Sequence, residues 1–294
     1  MQSWCSRKSS PHLLCRTPQR DRDGEISAMT TQIAVHRTAT FIYRETAARA
    51  FKELLPCFQG DWNAIDEFSL AHLVKIARAD LSSDPTNAHQ VLAMAAAVHW
   101  DEAGVDRHFN AALGSDESEA IRSNYAFALD CIGRCDRAAN MYERSAHINF
   151  NDVTVLQKAI ETQWRAGRWA RSIGLTKILR LSSPPANPEP SDAKKKIVEC
   201  TARIGASPYL LERLHAAIHS FLRDRKIRSV SSSFDLDDAA GNDKIHLTMD
   251  VLADPETVEC LNEELAVVSS DAMESHPLSH FCIGLSGAHA MADS

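Results

Sequence analysis

What this 294-residue chain lacks narrows its function before any motif is read. Glycine is scarce, at eleven residues, and none sits in a Gly-x-Gly-x-x-Gly or Walker-type loop, which removes the usual backbone cradles for dinucleotides and nucleoside triphosphates. Ser286-Gly287 lacks the flanking Gly-x-Ser-x-Gly pattern of a nucleophile elbow. No stretch approaches the roughly 18 apolar residues of a membrane-spanning helix, and the opening has no apolar run of a secretory signal. Eight cysteines are scattered without a disulfide framework, so they read as reduced thiols of a cytoplasmic protein. Basic residues all but vanish from Ser231 to Ser294, where thirteen acids face one lysine, Lys244, for a net −12. The segment Trp164–Arg228 has the opposite bias, with fourteen Lys/Arg against five Asp/Glu. Such asymmetry predicts either two segments docked on each other or a basic surface for an anionic partner.

What is present is mostly helical period. Residues 1–28 show no period and many Ser, Arg and Pro, and read as a disordered tail or as sequence ahead of a true start at Met29. From about Arg44 apolar residues recur at helical spacing, as in Ala48/Phe51/Leu54/Leu55 and Ile65/Phe68/Leu73/Ile76. Asp84-Pro85 breaks the chain, and Asn87–Trp100 resumes as an alanine-rich helix fit for an interior. Four prolines within 182–190 make a semi-rigid linker. A helical pair is expected over 191–226, with Leu210, Leu214, Ile218, Phe221 and Leu222 on one stripe. The period then changes. Ile227–Asp237 and Lys244–Leu252 read as strands around a turn at 239–243, Asp254-Pro255 opens a helix, and Phe281–Leu285 reads as a third strand. Residues 227–294 are thus expected to form a small acidic α+β module.

Between 29 and 181 the helical segments repeat. Phe109-x-x-Ala112-Leu113 and Tyr142-x-x-Ser145-Ala146 lie 33 residues apart, and Gly133 and Gly167, each in a short turn, lie 34 apart. A helix pair cannot bury its apolar face alone, so neighbours of equal length stack and share a core. Asn124–Asn151 resembles a tetratricopeptide repeat: Tyr125-Ala126-x-x-Leu129 on the first helix, Gly133 at the turn, and Ala138 and Tyr142 at the close-contact and bulky positions of the second. Arg122 stands where the first aromatic is usual, Phe150 where a terminating proline is common, and the following unit has Ser172 and Thr176 at packing positions. The resemblance covers about residues 60–181 and implies an α-solenoid whose first helices line a groove for an extended peptide or a helix. Carried over residue by residue, it places Gln90, Met94, Asn124, Phe127, Cys131, Gln157, Lys158, Glu161 and Arg165 in that groove, with Asn124 suited to a peptide backbone and Lys158 and Arg165 to a carboxylate. Too few of these are basic for the family's two-carboxylate clamp.

Chemistry-bearing clusters are thin. Cys131 and Cys135 have no second pair to complete a zinc site. His276, His280 and Cys282 form the densest ligand-like run, flanked by Asp271 and Glu274, but short runs arise by chance among thirteen histidines. Asp237-Asp238 sits beside a turn, where solvated carboxylates are ordinary. Lys194-Lys195-Lys196 opposes a helix macrodipole, so it does not serve helix stability; a contact with phosphate or an acidic protein is open to it, but without interleaved aromatics or a nucleic-acid motif the signal is weak. The expectation is therefore a mainly α scaffold that binds another protein, with no catalytic residues, metal or cofactor and no membrane contact. The alternative is a nucleic-acid-associated regulator, in which residues 164–228 meet phosphates and the acidic module competes for the same surface. A third class, an enzyme acting through His276, His280 and Cys282, rests on that cluster alone.

Overall fold

Seven helices begin where a Ser or Asp side chain accepts a free backbone N–H of the first turn. The protein is described here from a computed structural model covering residues 47–54, 65–148, 152–182, 192–237, 244–273 and 280–287. Helix α1 occupies 47–54. Asp66 caps α2 (Glu67–Asp80), Asp84 caps α3 (Pro85–Val98) and Asp101 caps α4 (Glu102–Ser115). Ser118 caps α5 (Glu119–Cys131), Asp152 caps α7 (Val153–Arg165) and Ser207 caps α10 (Pro208–Asp224). Between them lie α6 (Cys135–Ile148), α8 (Trp169–Ser182) and α9 (Asp192–Arg203). Asp84-Pro85, expected as a chain break, is thus also a helix start: proline at the first helical position gives up an N–H that has no partner there. An Asp84→Ala variant is expected to lose about 1 kcal/mol of stability, read as a lower urea midpoint with unchanged slope.

The chain is mainly helical, with a small three-stranded sheet toward its C-terminal end. Strand β1 (Ser229–Asp237) pairs antiparallel with β2 (Lys244–Val251), and β3 (Phe281–Gly287) lies parallel to β2 after crossing over through α11 (Pro255–Ala272). Ile245, Leu247, Met249 and Val251 alternate into the core from β2, each worth roughly 1.5–3 kcal/mol of burial. The register puts Phe234 and Leu236 of β1 and Phe281, Ile283 and Leu285 of β3 on the same face. Asn262 of α11 covers the outer edge of β3, donating to the Leu285 carbonyl at 3.1 Å and accepting its N–H at 2.7 Å. Asp254 caps α11 as expected, and the helix runs on to Ala272.

Among the described residues the three larger apolar clusters follow one another along the chain. The first joins α1 to α6 and includes most of α3, whose alanines are buried on nearly every side. The second joins α5 to α8 around Tyr142, Leu156 and Leu179. The third begins at Trp164 and Trp169 and continues through α9, α10, the sheet and α11. In α2 the buried stripe is Leu70, Leu73 and Ala77; Phe68, read from the sequence as part of the stripe, is 84% exposed because it lies two residues before Leu70 and so projects from the opposite side of the helix. The expected tail (1–28), the start at Met29, Leu55, the proline linker apart from Ser182, the turn at 239–243 and His276 lie outside the described residues.

Candidate functional site

The turns that end α3, α5 and α7 are built from the same hydrogen bonds. Asp101 N–H reaches Ala96 O, Arg134 N–H reaches Leu129 O and Arg168 N–H reaches Gln163 O, at 2.9, 2.8 and 2.9 Å. Each is the six-to-one bond of a Schellman turn, and the residue before it is left-handed: Trp100 (φ 60°), Gly133 (φ 74°) and Gly167 (φ 77°). These positions are 33 and 34 residues apart, so three helix pairs carry one turn at one interval. Arginines also recur at that interval. Arg137 of α6 reaches back to Glu102 and Asp106 of α4, and Arg171 of α8 reaches back to Glu143 of α6. Tyr125 joins the first of these rungs, donating to Asp106 and stacking on Phe109 at 4.9 Å.

The sequence-predicted positions fall on this lattice. Asn124 and Lys158 are equivalent, each nine residues before its turn, and Gln90 stands ten before Trp100; Asn124 Nδ2 donates to Gln90 Oε1 at 2.8 Å, a side-chain bond between α5 and α3. Gln90, Met94 and Cys131 are buried, Met94 fully so. Burial pushes the Cys131 thiol up to about 12. Asn124 and Phe127 are half-buried, while Gln157, Lys158 and Glu161 are exposed on α7, with Lys158 Nζ 3.3 Å from Glu161. Arg165 is engaged within the protein: its Nη1 donates to Asp130 Oδ2 at 2.8 Å and its Nη2 faces Cys135 Sγ at 3.5 Å. Burial disfavours its charge, but Asp130 holds it protonated. A partner's carboxylate arriving there would meet a neutral pair. Of the sequence-predicted positions, Asn124, Phe127, Gln157, Lys158 and Glu161 retain solvent exposure without being tied into a buried pair.

Lys158, Glu161 and Arg165 also line a cleft of about 380 Å³ whose far walls are α9 and β1. Trp164 lies in it, stacked on Trp169 at 5.2 Å, with Phe234 of β1 edge-on to both rings and Lys194 Nζ 5.0 Å above the Trp164 ring. Desolvation lowers the Lys194 pKa. By alternation with Leu236, whose N–H is taken by the Asp235 carboxylate, Ser232 and Phe234 turn their backbone N–H groups to the strand's outer edge, beside this cleft. Nothing in the local sequence of α7 indicated that a strand seventy residues later would form the opposite wall.

Beneath the cleft, the last carbonyls of α7 are fully assigned. Thr162 O accepts from Ala166, Gln163 O from Arg168, and Trp164 O from Gly167 and the Trp169 indole. Arg165 O accepts two imidazoles of α10, His215 Nδ1 at 2.8 Å and His219 Nε2 at 3.1 Å. Both rings are buried, and desolvation lowers their pKa values to about 3 and about 4. His219 Nδ1 lies 3.8 Å from Cys135 Sγ. That pair is a packed cluster rather than an activated nucleophile, since Cys135 is buried and its thiol is held well above its ordinary pKa. Opposite charges of the C-terminal half also meet. Arg225 of α10 pairs with Glu264 of α11, and Arg213 donates to the Ala272 and Asp271 carbonyls at the end of α11.

His280 and Cys282 are described and Cys282 is exposed on β3; among the described residues no group of three His, Cys, Asp or Glu is placed to hold a metal. No helix among the described residues is long and apolar enough to cross a membrane. Comparison with protein-family models, with curated proteins and with solved structures gives no match to this chain.

Proposed function

We propose that this protein is a partner-binding scaffold: an α-solenoid of degenerate tetratricopeptide-like helix pairs that holds a peptide or helix of another protein. The observation carrying this reading is the recurrence, at 33 and 34 residues, of one Schellman turn after α3, α5 and α7. The Gln90–Asn124 hydrogen bond supports it, since it joins α3 to α5, the first helices of adjacent units. Asn124, Gln157 and Lys158 supply the amide and ammonium groups that an extended peptide needs, and Phe127 adds an apolar contact. The cleft between α7, α9 and β1 extends this surface. The nucleic-acid alternative has less support, because Arg171, Arg213 and Arg225 of the basic segment are turned to Glu143, the end of α11 and Glu264.

The test is affinity capture from native lysate, with and without nuclease, comparing wild type with an Asn124→Ala/Lys158→Glu variant. Arg165 is left intact because it holds Asp130. A protein captured after nuclease treatment is expected to bind the variant at least about tenfold more weakly. Nucleic acid recovered equally by both proteins would overturn the groove assignment.

A further inference from the structure

Helix α10 crosses two of the repeated turns, with the Gly133 turn against His219 and Arg223 and the Gly167 turn against Leu211 and Glu212. Between these elements is a second cleft, of about 470 Å³, whose lining includes four arginines: Arg134 and Arg168 from the turns, and Arg213 and Arg223 from α10. Only two carboxylates, Asp136 and Glu212, line the same cleft. We propose that this cleft binds a phosphate group, as inorganic phosphate or carried on a phosphorylated side chain.

The charge pattern separates these arginines from the rest. Arg137, Arg165, Arg171 and Arg225 each face a carboxylate at hydrogen-bond distance. Arg223, by contrast, donates only to Ser220 Oγ at 2.9 Å, and Arg213 donates only to backbone carbonyls; neither pairs with a carboxylate among the described residues. Arg168 is shared between Glu212 and Asn140, and Arg134 between Glu102 and Asp136. The lining groups therefore leave two positive charges uncompensated in a concave, partly desolvated space. Guanidinium forks match phosphate oxygens in bidentate fashion, whereas a chloride would use one donor from each. The N-termini of α6 and α8 add to the field. Arg134 O and Arg168 O accept the first intrahelical bonds, so arginines stand at both cap positions, where seven other helices have Ser or Asp. Tyr209 stands 74% exposed on the cleft wall, within reach of whatever carries the phosphate. The four arginines line one concave cleft of bounded volume, which favours a single phosphate over a nucleic-acid backbone.

The experiment titrates the full-length protein calorimetrically at constant ionic strength with inorganic phosphate and, separately, with O-phosphoserine. Saturable binding is expected, weakened about tenfold in Arg223→Gln and in Arg168→Gln and unchanged in Arg144→Gln, an exposed arginine outside the cleft. Far-UV circular dichroism of each variant reports folding, and Arg223→Lys, which keeps the charge but loses the fork, is expected to bind with intermediate affinity. Tighter binding of phosphoserine assigns the group to a modified side chain, and binding of inorganic phosphate alone assigns it to a free anion; both support the site. No saturable binding up to about 10 mM, or equal affinity in the Arg223→Gln and Arg144→Gln proteins, would overturn it. So would binding of an oligonucleotide without terminal phosphates that depends on Arg223.

Discussion

Gly167→Ala is expected to destabilise the protein by about 3 kcal/mol. Two costs combine. The residue sits at φ +77°, where a Cβ costs roughly 1–2 kcal/mol against the following carbonyl. The added carbon would also stand 2.6 Å from the Leu211 carbonyl oxygen and 2.8 Å from its carbon. These are backbone atoms within a helix, so relief requires α10 to move away from the turn, and overpacking of this kind costs about 1–3 kcal/mol. Two other glycines separate the terms. Gly133 has φ +74° but its nearest foreign atom would lie at 3.4 Å, so Gly133→Ala is expected to lose only the conformational part, about 1 kcal/mol. Gly174 lies within α8 with nothing within 4 Å, and its replacement by alanine is expected to gain about 0.5–1 kcal/mol. Urea unfolding of the three variants gives the order directly. Equal losses at Gly133 and Gly167 would mean that α10 does not press on the second turn.

The glycine spacing was legible in the sequence; the object pressing on it was not. Period and spacing are local properties, so the helix pairs, the position of the turns and the alternation of Lys244–Val251 could be read directly. Trp100 escaped notice because the third equivalent turn has a bulky residue where the other two have glycine, and left-handed conformation in a tryptophan leaves no compositional mark. The candidate groove was legible in position and not in exposure. The repeat alignment selects Gln90, Met94 and Cys131, but whether a first-helix position faces solvent depends on which helices pack over it. The Arg165 environment was illegible for the same reason. A basic residue on a helix face reads as a free cation until its partner is known, and here Asp130 comes from the preceding unit and both imidazoles from a helix fifty residues on. His215 and His219 carried a weak signal, lying four apart on a helix, which puts them on one face. Their flanking leucine stripe made that face a buried one.

Those two imidazoles produce the second large effect, a loss of stability between pH 7 and pH 5. Their protonated forms are excluded from the folded protein by burial first of all. The neighbouring imidazole adds to this for His215, as does the Arg165 guanidinium for His219. In the unfolded chain each titrates near 6.5. Below that value the unfolded state binds two protons that the folded state refuses, so stability falls as the pH falls and stops falling only below the folded values of about 3 and about 4. The slope approaches 1.4 kcal/mol per pH unit for each ring, or about 4 kcal/mol in total between pH 7 and pH 5. His89 and His108, 3.2 Å apart through their Nδ1 atoms, are partly desolvated and add a smaller contribution of the same sign. Carboxylates such as Asp66 and Asp254, whose pKa values are lowered by hydrogen bonds to Ser69 and Thr257, lose their contribution only below about pH 4 and leave this window to the histidines. The measurement is the unfolding free energy from urea titrations at half-unit intervals of pH. His215→Gln and His219→Gln each remove one titrating ring and are expected to reduce the slope by one proton, whatever they cost in absolute stability. A slope unchanged in both variants would mean that the rings titrate alike in the folded and unfolded chain, and that α10 does not seal the end of α7.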